Sequence, residues 1–118
     1  MQKRELNMPQ DLMDDANIIT GQLYELLGKK YDENFLDENY LKLYSLIKQA
    51  KVLRKVAMYR IKNDQDPAAV GVLVDIDDAT YYFSEYEFDE LEICPQAEEL
   101  KLKYAQYLKP IKEETKTL

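Results

Sequence analysis

Carboxylates are the only reactive side chains this sequence holds in number, with 23 acidic residues against 16 basic ones and no histidine. The lack of histidine removes the commonest general acid/base, the commonest metal ligand and every catalytic triad that depends on it. A single cysteine, Cys94, makes neither a zinc nor an iron–sulfur ligand set, and allows no internal disulfide. Gly21, Gly28 and Gly71 stand too far apart to build a phosphate-cradling loop. What survives is carboxylate–metal chemistry. Asp75, Asp77 and Asp78 end an apolar run, and Glu99-Leu100-Lys101 has the Glu-x-Lys form of some magnesium-dependent nucleases. Aspartates so placed are more simply turn formers, and Glu99 falls on a helix where such sites use a strand. Asp64 and Asp66 flank Gln65 without the further oxygens a calcium loop needs. No catalytic residue, metal or cofactor is therefore assigned, and a non-enzymatic protein is expected.

The unusual feature is the way charge is divided along the chain. From Lys42 to Lys62 there are seven basic residues and no acidic one; from Asn63 to Leu100 there are twelve acidic residues and no basic one. Mixed-charge domains usually intersperse the two signs to limit repulsion. One outcome is that the blocks lie together and neutralise each other. Another is an acidic face for a basic partner, carried by Asp75, Asp77, Asp78, Glu85, Glu87 and Asp89, with Tyr81, Tyr82 and Tyr86 as aromatic anchors. A face of this kind can also imitate nucleic-acid phosphates and block a nucleic-acid enzyme. A third outcome uses Lys48, Lys51 and Lys55, which share one helical face and could meet phosphates. The net charge of -7 and pI near 4.6 argue against direct nucleic-acid binding, which favours strongly basic domains. The expected function is an acidic accessory or regulatory protein that binds a macromolecular partner, basic or itself nucleic-acid-binding, through its acidic, tyrosine-bearing region.

These residues need elements to hold them. At 118 residues the chain fits one domain with a core of its own, with about six residues at the N-terminus and seven at the C-terminus frayed. Leu12, Met13, Ala16, Ile19, Leu23, Leu26 and Leu27 recur at helical spacing over about Pro9 to Leu27, with Asn7 as cap, Gly28 as a left-handed stop, and Gly21 admitting a close neighbour. A second helix is expected from about Glu38, capped by Asp37, with Leu43, Leu46, Ile47, Ala50 and Leu53 as its stripe.

At 56–62 two readings compete, since Ala57 and Ile61 would extend the helix to Lys62 while the β-branched and aromatic content reads as a strand, the reading taken here; the alternation of Val70, Val72, Val74 and Ile76 predicts a further strand over 69–76. Asp77-Asp78-Ala79 is read as a tight turn into a return strand over 80–84, and Ser84 with Glu87 as a capping box for a short helical turn. Pro95 opens a last helix over 95–109, with Glu99 paired to Lys103. The expected fold class is thus α+β: two N-terminal helices, a small antiparallel sheet of two to three strands and a C-terminal helix. No apolar run is long enough to span a membrane and no secretory signal is visible, so a cytoplasmic protein is expected, with homo-oligomerisation left open.

Overall fold

The computed structural model describes residues 8–88 and 94–108. Among the described residues the protein is all-helical and has no strand. Helix α1 runs over Met8–Leu27, α2 over Phe35–Asp64, α3 over Pro67–Tyr81 and α4 over Pro95–Lys103, followed by a short 3-10 turn, Ala105–Tyr107. The α+β expectation is overturned. Segment 56–62 is the last part of α2, 69–76 lies inside α3, and 80–84 is the end of α3 running into a turn.

The reason lies in which residues are buried. On α3 these are Ala69, Val72, Ile76 and Ala79, at spacings of three and four residues, with Phe83 continuing the row; Val70 and Val74, which complete the period of two, are about half exposed. Tertiary burial of a helical stripe here outweighs the modest strand preference of β-branched side chains. Local signals agree: Asp66 is the N-cap, its side chain accepting from the Ala68 amide at 3.0 Å, and Pro67 occupies the first turn. On α2 the stripe Leu43, Leu46, Ala50, Leu53, Val56 and Ala57 stays buried and continues to Arg60, so the helix is not interrupted at 56. Asp77, Asp78 and Ala79 consequently form helix, not a turn. Of the capping box, Ser84 lies in a turn and Glu87 is not helical; 89–91 fall outside the described residues, as does Asn7.

Helix ends correct several further expectations. α2 begins at Phe35 after Asn34 rather than near Glu38, and Asp37 lies in its first turn. α1 ends in turn-like bonds, with the Gly28 amide shared between the Tyr24 and Glu25 carbonyls, and no glycine has positive φ. The left-handed residue is Gln65, at φ 50°, which reverses the chain between α2 and α3. Nothing lies within 4 Å of where a Cβ on Gly21 would stand, so no neighbour needs that glycine. The last α-helix stops at Lys103, not 109.

α1, α2 and α3 pack on one another around Leu12, Ala16, Ile19, Leu23 and Leu26 of α1 and the α2 and α3 stripes. α4 joins mainly through α2, where Tyr44 and Val52 meet Cys94 and Ala97, and through fully buried Tyr104. Cys94 is buried, as its small apolar character suggests. No helix of the described residues is long and apolar enough to cross a membrane.

Candidate docking face

Three ion-pair clasps determine which acidic residues remain available. At the α2–α3 turn, buried Arg60 donates through Nε to Asp66 at 3.1 Å and through Nη1 to the Tyr107 hydroxyl at 3.0 Å. Asp66 therefore serves as cap and counter-ion together. Between the middles of α2 and α3, Arg54 donates to both Asp77 oxygens, at 2.8 and 3.4 Å. Beyond α3, Lys30 reaches back from the end of α1. Its ammonium sits 2.7 Å from the Glu85 carboxylate, hydrogen-bonds the Tyr82 carbonyl, and lies 5.6 Å from the ring centroids of Phe83 and Tyr86. The bond from Lys30 holds the Glu85 carboxyl below its ordinary range and raises the Lys30 ammonium.

These clasps split the predicted acidic set. Asp77 faces α2 and is paired with the basic block. Glu85 is paired with Lys30, which lies outside that block. Tyr86 is half-buried against Phe35 and Phe83, with ring centroids 6.4 Å away in each case. Glu87 is exposed beyond the Lys30 clasp, and Asp89 lies outside the described residues. Asp75, Asp78, Tyr81 and Tyr82 stay together on the outer side of α3, because positions 75, 78 and 82 lie one turn apart along one edge of the helix.

Asp75 and Asp78 are exposed, and no ion pair or hydrogen bond reaches either carboxylate among the described residues. Tyr82 is 44% exposed and Tyr81 71%, their rings in edge contact at 5.7 Å. Val74 and Val70, one and two turns before Asp78, continue the outward stripe. α1 adds a residue that sequence reasoning missed. The Tyr24 ring meets that of Tyr82 edge-on at 6.4 Å, and the Tyr24 hydroxyl pKa is raised, first by partial desolvation and then by electrostatic interaction with the Asp78 carboxylate, the Tyr82 hydroxyl and the Asp75 carboxylate. Only the α1–α3 packing brings Tyr24 there, since fifty residues separate it from Asp75. The resulting surface combines two unneutralised carboxylates, three accessible tyrosines and two valines.

The basic alternative is also gathered. Lys48, Lys51 and Lys55 line one groove of about 350 Å³ between α2 and α4, with Val52, Ala97, Lys101 and Leu108. A second groove of about 590 Å³ between α1, α2 and α4 contains Ser45, Gln49, Cys94 and Gln96. There the Ser45 hydroxyl accepts from Gln49 at 3.0 Å and donates to Gln96 at 3.3 Å, and the Cys94 thiol lies 3.4 Å from it. These four polar side chains bond one another.

Among the described residues, no three carboxylate or thiol groups gather closely enough to hold a metal ion. Glu99 is exposed on α4, and Lys103, expected to pair with it, instead bonds Asp15 at 2.8 Å. Comparison of the chain with protein-family models, curated proteins and solved structures found no match.

Proposed function

We propose that this chain is a non-enzymatic accessory or regulatory protein that docks a basic macromolecular partner through the α1–α3 face formed by Tyr24, Val74, Asp75, Asp78, Tyr81 and Tyr82. The observation that carries this reading is selective neutralisation. Asp66, Asp77 and Glu85 are each held in an ion pair, whereas Asp75 and Asp78 remain exposed and unpaired beside accessible tyrosine rings. Unpaired carboxylates speed encounter with a basic surface and fix its orientation, while tyrosines supply contact area at low entropic cost. The single cysteine, without a disulfide partner, is in keeping with a cytoplasmic setting for this role.

A mixed acidic and aromatic face is favoured over pure phosphate mimicry. Mimicry calls for a long row of available negative charge, and pairing of Asp77 and Glu85 shortens the row. The test is parallel affinity capture with the natural chain and with Asp75→Lys/Asp78→Lys. A basic protein retained by the first, released by moderate salt and absent from the second supports the reading. Identical capture by both chains, insensitive to salt, overturns it.

A further inference from the structure

We propose that the shallow groove between the end of α2 and the 3-10 turn binds a free mononucleotide, its base on a tyrosine pair and its phosphate on a lysine. α2 presents Lys55, Met58, Tyr59 and Lys62 to this groove, positions three and four residues apart that share one helical face. Tyr107 and Leu108 supply the rest of its apolar lining. The groove's volume of about 260 Å³ lies just below the range of about 300–1,000 Å³ for small-molecule sites, so it suits one ring and one phosphate and nothing larger.

Two features select the occupant, and the first is a fixed aromatic wall. The Tyr59 and Tyr107 rings meet edge to face, 5.7 Å apart and inclined at 73°, and in such a pair the partner ring covers only one ring face. Tyr107 needs no ordering on binding. Its hydroxyl accepts from Arg60 Nη1 at 3.0 Å, and the Arg60 guanidinium, itself held by Asp66, lies 5.1 Å from its ring centroid. A nucleobase stacks on an aromatic side chain whatever its identity.

The second feature is charge. Lys55 and Lys62 are exposed, neither makes an ion pair or hydrogen bond among the described residues, and no carboxylate is among the described residues that line the groove. Arg54 also borders it, but its guanidinium is taken by Asp77. Lys55 and Lys62 lie two turns apart with Tyr59 between them, so a phosphate on either leaves the attached base within reach of the ring. A bare phosphate would leave the tyrosines unused, and an uncharged ring would leave the lysines unused. A single strand of nucleic acid fits less well than a free nucleotide, because its further phosphates would meet a chain of net charge -7. The site shares no residue with the α1–α3 docking face, so the two proposals stand or fall separately.

The experiment is titration of the full chain with adenosine 5′-monophosphate, followed by calorimetry and by amide NMR shifts. Saturable one-to-one binding is expected, with shifts centred on Tyr59, Lys62 and Tyr107. Affinity should fall about tenfold or more for adenosine, which lacks the phosphate, and for ribose 5-phosphate, which lacks the base. Lys55→Glu/Lys62→Glu, at two exposed positions, should weaken binding by a similar factor with an unchanged circular dichroism spectrum, whereas Lys29→Glu, outside the groove, should leave affinity as it is. A short oligodeoxyadenylate should gain less than about tenfold over the mononucleotide. No saturable binding, equal binding of adenosine or of ribose 5-phosphate, no loss in the double variant, an equal loss with Lys29→Glu, or an oligonucleotide bound about tenfold or more tightly than the mononucleotide would each overturn the proposal.

Discussion

Replacing Tyr104 with phenylalanine removes one oxygen from the clasp that ties the C-terminal part of the fold to α1. The ring is fully buried, and its hydroxyl donates to Asp15 Oδ2 at 2.6 Å, the same oxygen that accepts from Lys103 at 2.8 Å. A hydrogen bond to a charged acceptor is worth about 1.5–3 kcal/mol net. The Asp15 side chain is 20% exposed and keeps Lys103, so the lower end applies and Tyr104→Phe should cost about 1.5 kcal/mol. For a chain of this length that corresponds to a fall in Tm of roughly 6 °C. Asp15→Ala should cost more, about 2–3 kcal/mol, because it strands the Tyr104 hydroxyl in the interior without a partner.

The clasp also has a pH signature. Burial, and then the bond to Asp15, raise the Tyr104 hydroxyl pKa above its ordinary 10.0. The folded chain therefore keeps a proton that the unfolded chain releases. This contribution is fully present below pH 10 and is lost as pH rises above it, by up to about 1.4 kcal/mol per pH unit. Urea unfolding followed by far-ultraviolet circular dichroism between pH 7 and 11 measures both effects. The natural chain should lose stability above pH 10 more steeply than Tyr104→Phe. A neutral Tyr104→Phe, an Asp15→Ala variant milder than it, or identical alkaline slopes would refute the reasoning.

Other perturbations test the remaining elements. Val74→Pro should cost about 3 kcal/mol or more, because position 74 is inside α3, and thermal unfolding should show the loss; an exposed edge strand would tolerate proline at this point. Asp66→Ala removes the α3 cap and the Arg60 counter-ion together, so urea unfolding should report at least about 2 kcal/mol, more than a simple cap loss. The Arg54–Asp77 pair, with each side chain nearly half exposed, should show a coupling of no more than about 1 kcal/mol in a double-mutant cycle.

Much of α1 and the first half of α2 was legible in the sequence, because Leu12, Ala16, Ile19, Leu23 and Leu26 repeat without a competing period. α3 was not. Val70, Val72, Val74 and Ile76 satisfy a period of two, while Ala69, Val72, Ile76 and Ala79 satisfy a helical one, and the small alanines make the second row less conspicuous. The Asp66-Pro67 pair is the local signal that decides between them, since it is a cap followed by a favoured first-turn residue. The division of charge was visible as well, but not its fate. Which carboxylates are neutralised depends on the facing of α3: Asp77 turns toward Arg54, whereas Asp75 and Asp78 turn away. Tyr24 and Lys30 could not have been assigned, because their partners lie more than fifty residues further along and meet them only through helix packing.

A photo-crosslinking residue placed at Tyr81 reports most directly whether the α1–α3 face meets a macromolecular partner. Carried in cells of the native source, it should yield a discrete higher-mass adduct that disappears when Asp75→Lys/Asp78→Lys is introduced, while the same residue at exposed Lys62 of α2 yields none. An adduct from Lys62 but not from Tyr81, or one from Tyr81 that survives the charge reversal unchanged, would contradict the account.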